Sequence, residues 1–437
     1  MSLATDPQKI LIARGDMLGD VVLATPVIEA LHNRYPKAQL YLLVQDGFRK
    51  LFSQDPRIAG CLIDPLPYQL RRQDWPAFFK LVSQIKAEGF DCFIGLWERP
   101  RYALLSALAR IPLRVGHGFH WLNRLCYHRS TTFGQFMRHQ AKWNLSVAAL
   151  VAPVTFQEPA QLFPATTPLI FPTSSYLILS PDSKSTQKRL TEAHYVHAAQ
   201  WALNHTDLTL VLVGETANMD PCPTLLDLFK ANPNRCLDWT NQLNLDTLVA
   251  LTSKAELVFA ADAGLVHIAA ALQRRVLTYY LNRTQNVLRW GPWQTPHRVL
   301  ISQHDCTDKC DSLSCKKWDC RLPIPRTEIE TALQDLLQDA PLPAPSDSAY
   351  RLEKGLIIGL FRRDFKHFEA ELQNRHLRYF VLEEPYTLSR LCRHINNHNC
   401  MVWVYRSPWS WAKLAIAREI TSNHNAFKLV IRTQLPI

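Results

Sequence analysis

The sequence of 437 residues lacks any uninterrupted apolar run that approaches the roughly 18 residues of a membrane-spanning helix. Its first residues also lack the succession of basic, apolar and small side chains that marks an export signal. Internal repeats and low-complexity tracts are absent, and a hydrophobic fraction of 47% is typical of a globular chain. We therefore expect a folded cytoplasmic protein whose contact with lipid would be peripheral, at the inner face of the membrane.

The charge of the chain is unbalanced, but it is not concentrated in one block. The formal net charge is +11, which predicts an anionic partner such as a phosphorylated glycan or a membrane surface. No dense Lys/Arg tract and no recognisable nucleic-acid-binding module accompanies this excess. We therefore expect no nucleic acid among the partners.

Eleven cysteines do not form a disulfide framework in a reducing compartment. Four of them are clustered, namely Cys306, Cys310, Cys315 and Cys320. Their spacing would let four thiolates surround one structural ion tetrahedrally, with zinc or iron as the metal, and His304 is close enough to replace one ligand. Free thiols in a loop are the alternative interpretation.

Apolar strands alternate with amphipathic helices along most of the chain, which predicts parallel sheets covered by helices. Proline-rich stretches at 152–172 and 341–346 interrupt this alternation. We therefore predict an α/β protein with one domain at 1–160, a second at 173–340 and a small α/β extension of unassigned role at 347–437.

Two turns that combine glycine with aspartate each follow an apolar strand and precede a helix. The first contains Gly19 and Asp20, and the second runs from Asp262 to Gly264. Such a turn brings backbone N–H groups and the positive end of a helix to a ligand. The pair predicts two nucleotide-fold domains that face one cleft, as in a two-substrate transferase. Asp20 is either the cap of its helix or a general base in that cleft.

The pattern Arg14-x-Asp16-x-x-Gly19-Asp20 resembles the start of glycosyltransferase family nine, the ADP-heptose:lipopolysaccharide heptosyltransferases. The likeness continues through 91–96, 114–116, Lys188 and Asp262-Ala263-Gly264-x-x-His267, and so extends over roughly residues 8–340. It implies a GT-B fold, with two Rossmann-like domains that each contain a parallel sheet. The domain at 1–160 would bind the acceptor, and the domain at 173–340 would bind the nucleotide sugar.

The same resemblance implies that a heptose moves with inversion from ADP-heptose to a phosphorylated lipopolysaccharide core acceptor, and that the chemistry needs no cofactor. Asp20 would be the general base that takes the proton of the acceptor hydroxyl. Two alternatives remain. One is a transferase of the same fold that acts on a protein or on another glycan, and the other is a degenerate, non-catalytic glycan-binding protein.

Several residues are candidates for binding the donor. Lys188 matches the phosphate-binding lysine of the family, but the Trp-Pro pair that usually follows it is missing, so Lys184 is an alternative in the same polar loop as Ser183. A solvated basic loop is the competing interpretation. Glu215 would bind a ribose hydroxyl or would be an ordinary surface carboxylate.

The late turn would hold the same diphosphate. Gly264 would let backbone amides approach, His267 would donate to phosphate or pack inside the helix, and Asp262 would orient the loop or touch the donor sugar. Ala263 departs from the family, which has a hydroxyl-bearing residue at this position, so one phosphate contact is missing.

The acceptor side is expected in the first domain, where arginines are interleaved with aromatic residues. Arginine forks suit phosphate and carboxylate groups. We name Arg99 and Arg101 as the candidates for binding the acceptor.

Overall fold

The computed structural model of the protein describes residues 6–131, 139–166, 171–280, 285–301, 324–338, 357–361 and 378–382. The chain divides into two compact units. The first comprises Met1–Gly134 and His139–Pro345, and the second comprises Gln135–Arg138 and Ser346–Ile437. The first unit contains two six-stranded sheets, each built only from parallel strand pairs. We refer to these sheets, together with their helices, as the first and second lobes.

The first lobe has the strand order β3-β2-β1-β4-β5-β6. Its strands are β1 (Lys9–Ala13), β2 (Gln39–Val44), β3 (Ile58–Ile63), β4 (Cys92–Gly95), β5 (Leu113–His117) and β6 (Arg129–Thr131). Its helices are α1 (Leu18–Val22), α2 (Thr25–Arg34), α3 (Trp75–Ala87), α4 (Pro100–Leu108), α5 (Trp121–Cys126) and α6 (Gln140–Ala148). This strand order is that of a doubly wound nucleotide-binding sheet, in which the order reverses between β1 and β4.

The second lobe repeats this arrangement, with the strand order β12-β11-β10-β7-β8-β9. Its strands are β7 (Tyr176–Ser180), β8 (Thr209–Leu212), β9 (Cys236–Asp238), β10 (Leu257–Ala261), β11 (Arg275–Tyr280) and β12 (His297–Ile301). Its helices are α7 (Glu192–His205), α8 (Pro223–Ala231), α9 (Leu245–Lys254), α10 (Gly264–Ala271), α11 (Gln285–Trp290) and α12 (Arg326–Leu337). The order reverses between β7 and β10, so the predicted α/β class with a parallel sheet in each half is confirmed.

The central strands are apolar throughout because helices cover both faces of each sheet. In β1, Ile10 and Ile12 enter one buried cluster, whereas Leu11 and Ala13 enter another on the opposite face. The strand β10 follows the same rule, with alternate residues in two different clusters. Side chains alternate between the faces of a strand, so a continuous apolar run fits a sheet that is buried on both sides.

The apolar positions Val22, Leu23, Val27, Ile28 and Leu31 recur with helical spacing and predict one helix over 21–33, but this helix is interrupted in the structure. It forms two helices, α1 and α2, which are separated at Leu23 and Ala24. Pro26 explains the break, because its ring has no N–H and would clash with the carbonyl of Val22 in a continuous helix. The hydroxyl of Thr25 donates to that carbonyl at 2.7 Å instead. The break leaves α1 as a single short turn that itself contains Gly19 and Asp20, the two residues predicted to precede the helix.

In the second unit, the structure describes two strands, β13 (Ile357–Phe361) and β14 (Arg378–Leu382), which pair in parallel. Strands are predicted at 356–360 and 379–382, and both are confirmed. The further strands predicted at 401–405 and 427–431 lie outside the described residues. Within the part of the chain that the structure describes, no helix has the length and hydrophobicity required to cross a membrane.

Candidate active site

The two lobes meet where α1 and α10 begin, because these helices pack directly against each other. Each follows a strand that borders the reversal of order in its sheet, which is where doubly wound folds bind ligands. A Cβ atom on Gly19 would overlap the ring of His267, and one on Gly264 would lie 2.5 Å from Cδ2 of Leu18. Glycine at both positions therefore permits the close approach of α1, which carries Asp20, to the first turn of α10.

This geometry gives Gly264 a role that the sequence did not predict. The sequence predicts that Gly264 lets backbone amides approach a ligand, but the space beside its Cα is filled by Leu18 of the first lobe. The glycine therefore serves the packing of one helix on the other. The first N–H groups of α10 have no partner within a helix, and the cap residue Ala263 makes no side-chain hydrogen bond to them.

Asp20 forms an ion pair with Arg14, which also binds the carboxylate of Asp16. Nη2 of Arg14 is 2.5 Å from Oδ1 of Asp20. The same guanidinium binds Asp16 with Nε and Nη2, at 2.7 and 2.8 Å. Its Nη1 donates to the carbonyl of Leu96 at 2.7 Å, and Arg14 is only 4% exposed. These contacts fix the guanidinium, and through it the orientation of the Asp20 carboxylate.

Burial raises the pKa of Asp20 to about 6, although Arg14 opposes the shift. The neighbouring charge of Asp16 raises it further, and the charge of Arg289 lowers it. Asp20 is 9% exposed. A carboxylate with a pKa of this size can accept a proton near neutral pH. Asp20 does not cap α1. The cap position is occupied by Met17, whose side chain makes no cap hydrogen bond, and Asp20 lies inside the helix.

Two polar residues of α6 complete the surroundings of Arg14. Oδ1 of Asn144 accepts from Nη1 of Arg14 at 3.2 Å and from Nε2 of Gln140 at 3.3 Å. Oε1 of Gln140 accepts in turn from Nε of Arg289 at 3.1 Å. Sequence reasoning missed Asn144, Gln140 and Arg289, since no local motif marks a polar residue whose partners are far away in the chain. Arg14 belongs to the motif, and its place at the end of β1 could have identified it.

The second lobe contributes an ion pair beside the start of α10. Nζ of Lys188 is 2.8 Å from Oδ2 of Asp262, whose side chain is 6% exposed. Burial raises the pKa of Asp262, and Lys188 partly offsets this rise. The Lys188 side chain is 39% exposed. The structure thus brings together two residues that the sequence assigned separately to donor binding, and the lysine remains accessible from solvent.

His267 lies in the first turn of α10 and is buried against Gly19. Burial lowers its pKa to about 3, with smaller contributions from His139 and Lys188, so the imidazole is neutral. Among the described residues, its Nδ1 has no hydrogen-bond partner. Packing is therefore the role that the geometry supports directly, and Nδ1 is a buried polar atom without a partner among the described residues.

The polar loop after β7 is held by Arg189 rather than by its lysines. Nε of Arg189 donates to the carbonyl of Ser183 at 2.9 Å, and its Nη1 lies 2.9 Å from Asp220. Ser183 is buried and Lys184 is exposed. Of the two candidate lysines, Lys188 is the one that reaches the start of α10 through its pair with Asp262.

Glu215 lies at the end of β8 in a tightly constrained turn. Gly214 precedes it with φ of +138°, and a Cβ atom there would be 2.7 Å from the Cβ of Asp182. The N–H of Glu215 donates to Oδ2 of Asp182 at 2.9 Å, and its carboxylate accepts from Asn218 at 2.8 Å. Glu215 is exposed. Both predicted roles, a contact to ribose and a surface carboxylate, are compatible with this position.

The two arginines predicted for acceptor binding behave differently. The guanidinium of Arg99 stacks over Tyr68 at 4.3 Å from the ring centroid, and Arg99 is partly exposed. Arg101 is buried, donates to the carbonyl of Pro67 and forms an ion pair with Asp64 at 2.7 Å. Its geometry is that of an internal contact that fixes the loop after β3, so Arg99 is the better acceptor candidate of the two.

A depression of about 880 Å³ opens beside Tyr68 at the carboxyl ends of β2 and β3. It is lined by residues 45–47, 64–69, 71, 73 and 74. Arg99 borders this depression through its stacking on Tyr68.

The predicted metal ligands Cys306, Cys310, Cys315 and Cys320 all lie outside the described residues. Within the described ranges, no group of three or more His, Cys, Asp or Glu side chains is arranged to hold a metal ion. The structural zinc or iron therefore stays a prediction.

Comparisons with known proteins agree with this two-lobed architecture. Glycosyltransferase family 9 (heptosyltransferase) matches residues 78–318. The lipopolysaccharide core heptosyltransferase OpsX of Haemophilus influenzae is 24% identical over 322 residues, which cover 69% of this chain and 86% of that protein.

Two solved structures share the fold. One is the Escherichia coli ADP-heptose lipopolysaccharide heptosyltransferase II, with a TM-score of 0.60 and 18% identity over 76% of this chain and 98% of that one. The other is the Escherichia coli heptosyltransferase WaaC with ADP, with a TM-score of 0.54 and 16% identity over 67% of this chain and 92% of that one.

Two doubly wound lobes, each with a parallel six-stranded sheet, have the GT-B fold. Because the family match covers more than half of the sequence, the chain belongs to glycosyltransferase family 9, the heptosyltransferases. The matched range begins after the Arg14–Asp20 loop. The role of that loop therefore depends on its own geometry and on its resemblance to the family motif.

Proposed function

We propose that this protein transfers a heptose from ADP-heptose to a hydroxyl of a lipopolysaccharide core acceptor with inversion, and that Asp20 is the general base. The observation that carries the proposal is the packing of α1, which carries the buried Asp20 carboxylate, against the first turn of α10. One side of this junction can accept a proton, and the other can stabilise a developing anion.

In the proposed step, the carboxylate of Asp20 takes the proton of the acceptor hydroxyl. The hydroxyl oxygen forms a new bond to the anomeric carbon from the face opposite the diphosphate, while the bond between that carbon and the phosphate oxygen breaks. Its electron pair leaves with ADP, which gains negative charge as the bond lengthens. Arg14 keeps the carboxylate oriented through its 2.5 Å contact.

Three groups of the second lobe are suited to the departing diphosphate. Lys188 carries an accessible ammonium group beside Asp262. The first N–H groups of α10 add partial positive charge that favours an anion. His267, in the same turn, has a buried Nδ1 without a hydrogen-bond partner among the described residues, and we propose that it faces the phosphates when the donor is bound. Charge that is arranged before the reaction stabilises the transition state most effectively.

The choice of ADP-heptose as donor is supported by relatives of known name. One solved structure of the same fold is described as an ADP-heptose lipopolysaccharide heptosyltransferase, and another contains ADP. The loop of Glu215 at the end of β8 is a suitable place for a ribose contact. Ala263 supplies no hydroxyl, so backbone amides and Lys188 would hold the phosphates without it.

The acceptor is proposed to bind to the first lobe, at the depression beside Tyr68, with Arg99 as a contact for a phosphate or carboxylate group. A lipid-linked acceptor would bring the protein to the inner face of the membrane as a peripheral protein. A protein acceptor is the second candidate. The raised pKa of Asp20 argues against a degenerate binding protein, because burying an ionisable carboxylate is costly and is common at catalytic sites.

A transfer assay tests this function directly. Purified protein is incubated with heptose-deficient lipopolysaccharide and with ADP-heptose, UDP-glucose or GDP-mannose. We expect the acceptor to gain one heptosyl unit, detected by mass spectrometry, only with ADP-heptose. The donor assignment fails if a different nucleotide sugar is the better substrate, and the acceptor assignment fails if transfer occurs to a protein but not to the glycolipid.

The contact between Gly264 and Leu18 gives a second prediction. Gly264→Ala would push its Cβ into Leu18 and separate α1 from α10, since the two atoms would be 2.5 Å apart. A displacement of about 1 Å can cost roughly 10²-fold in rate, so we expect kcat/KM to fall by about 10- to 100-fold. The additional substitution Leu18→Ala should restore much of this activity by making room. If the double variant is no better than Gly264→Ala alone, the steric explanation is wrong.

A further inference from the structure

Arg289 belongs to the second lobe, but its side chain contacts the first. It lies in the last turn of α11, and its guanidinium stacks on Trp143 of α6 at 4.5 Å from the ring centroid. Its Nε also donates to Oε1 of Gln140 on the same helix at 3.1 Å. The same guanidinium lies 5.0 Å from the ring centroid of Trp290, its neighbour in α11. The arginine is therefore attached to α6 by two different kinds of contact.

From Gln140, a chain of hydrogen bonds leads to the catalytic carboxylate. Nε2 of Gln140 donates to Oδ1 of Asn144 at 3.3 Å, and this oxygen also accepts from Nη1 of Arg14 at 3.2 Å. The amide of Asn144 is oriented by donation to the carbonyl of Leu23 at 2.8 Å. Arg14 then holds Asp20. Gln140 and Asn144 are fully buried, so water does not compete for these bonds.

We infer that Arg289 is a positioning residue through which the second lobe sets the orientation and the charge of Asp20 when the two lobes are closed. The inference rests on the proposed function of Asp20 as the base. Arg289 acts through Gln140, Asn144 and Arg14, and through its own positive charge.

The charges around Asp20 show why this second cation matters. Arg14 is shared between Asp16 and Asp20, so one guanidinium serves two carboxylates. Glu98, which follows β4, adds a third negative charge that acts on both arginines. The charge of Arg289 opposes this excess.

Two histidines near this site add no positive charge. Burial lowers the pKa of His117, at the end of β5, and of His267, on α10, to about 3, so both are neutral. Lys188 is held by Asp262 on the second lobe. Arg289 is therefore the cation of the second lobe whose charge lowers the pKa of Asp20.

The test is a pH profile of kcat/KM from about pH 5 to about pH 9, because a merely structural role would not move it. The kcat/KM of the wild-type protein is expected to fall as the pH drops below about 6, because Asp20, with a pKa of about 6, then becomes protonated. We call this fall the acid limb of the profile. In Arg289→Gln, this limb should move upward by about 0.5 to 1 pH unit, because a nearby positive charge has been removed. The loss of activity should therefore be larger at pH 6 than at pH 8. Arg289→Lys should shift less, because it retains the charge.

The matched control is Arg298→Gln in the same lobe. Arg298 lies on β12 and pairs with Asp335 of α12 at 3.3 Å, which is a contact within the second lobe. Its profile should match the wild type. An Arg289→Gln profile that is lowered equally at every pH, or a control that shifts as much, would overturn the inference.

A second variant keeps the inference testable if Arg289→Gln does not fold. Gln140→Met preserves the volume of the side chain but removes its hydrogen bonds to Arg289 and Asn144. We expect a lower kcat with little change in KM for the donor, and a wild-type kcat would rule out the relay. If Asp20→Asn is fully active, the proposed function itself fails. If Asp20→Asn is inactive and neither Arg289→Gln nor Gln140→Met behaves as described, only the present inference fails.

Discussion

Replacing Asp20 with asparagine is expected to lower kcat/KM for heptosyl transfer by about 10²- to 10⁴-fold, which is the usual contribution of a general base. Asparagine has nearly the same shape and can still accept a hydrogen bond from Arg14, but it cannot take a proton. The measurement is the initial rate of heptosyl transfer at saturating ADP-heptose and varied acceptor, for the variant and for the wild type.

The matched control for this variant is Asp55→Asn. Asp55 is also a buried aspartate of the first lobe, and it is paired with an arginine, Arg57, at 2.7 Å. It lies after the short helical segment that ends at Phe52, away from the junction of α1 and α10. If the two variants lose activity to the same extent, the loss reflects the removal of a buried ion pair, and Asp20 is not the base.

The stability of the protein should depend on pH through Asp20, and the direction of this dependence can be predicted. The pKa of Asp20 rises from 3.8 to about 6 on folding, so the folded state binds more protons than the unfolded state between these values. The contribution of Asp20 to stability is therefore favourable at low pH and declines as pH rises through this window. Asp20→Asn, which resembles the protonated form, should lack this decline. Thermal unfolding measured at several pH values in both proteins checks the difference.

Replacing Lys188 with alanine is expected to reduce kcat by about 10²- to 10³-fold, the range seen when one preorganised transition-state contact is removed. Its ammonium group would no longer oppose the negative charge on the departing diphosphate. The variant also removes the positive charge that partly offsets the effect of burial on the pKa of Asp262. We therefore expect the pKa of Asp262 to rise further and the affinity for ADP to fall, as measured by calorimetric titration.

Lys184→Ala is the matched control for this second prediction, because it removes a lysine from the same loop. Lys184 is exposed, whereas Lys188 reaches Asp262 at the start of α10. We expect Lys184→Ala to bind ADP about as well as the wild type. A larger loss in Lys184→Ala than in Lys188→Ala would exchange the roles of the two lysines.

The fold was accessible to sequence reasoning because its signals are local. A strand such as β1 is a short apolar run followed by glycine, and this pattern needs no knowledge of distant residues. Strands at the edges were missed, including β6, β9 and β12, because they are short or contain polar residues. The break between α1 and α2 was missed although Pro26 marks it, since the apolar periodicity on both sides concealed the interruption.

The candidate site was accessible only in part, because its contacts join residues far apart in the chain. Motifs identified Asp20, Asp262 and Lys188, but not the ion pair that joins the last two. Arg101 is predicted to bind the acceptor, but it pairs with Asp64, which follows β3. Nothing in the local sequence of Arg101 indicates this ion pair. Arg289 has no motif, and its partners on α6 lie about 150 positions away in the sequence.

The contact between α1 and α10 also bears on the timing of each catalytic cycle. The helices touch at the edge of the place where sugar and diphosphate would lie, with Gly19 against His267 and Leu18 against Gly264. A nucleotide sugar can reach that place only after the helices part, and spent ADP can leave only the same way. Donor entry and ADP release would then depend on the same opening between α1 and α10, which we call the gate. We therefore expect opening of this gate, rather than chemistry, to set the pace of turnover once both substrates are abundant.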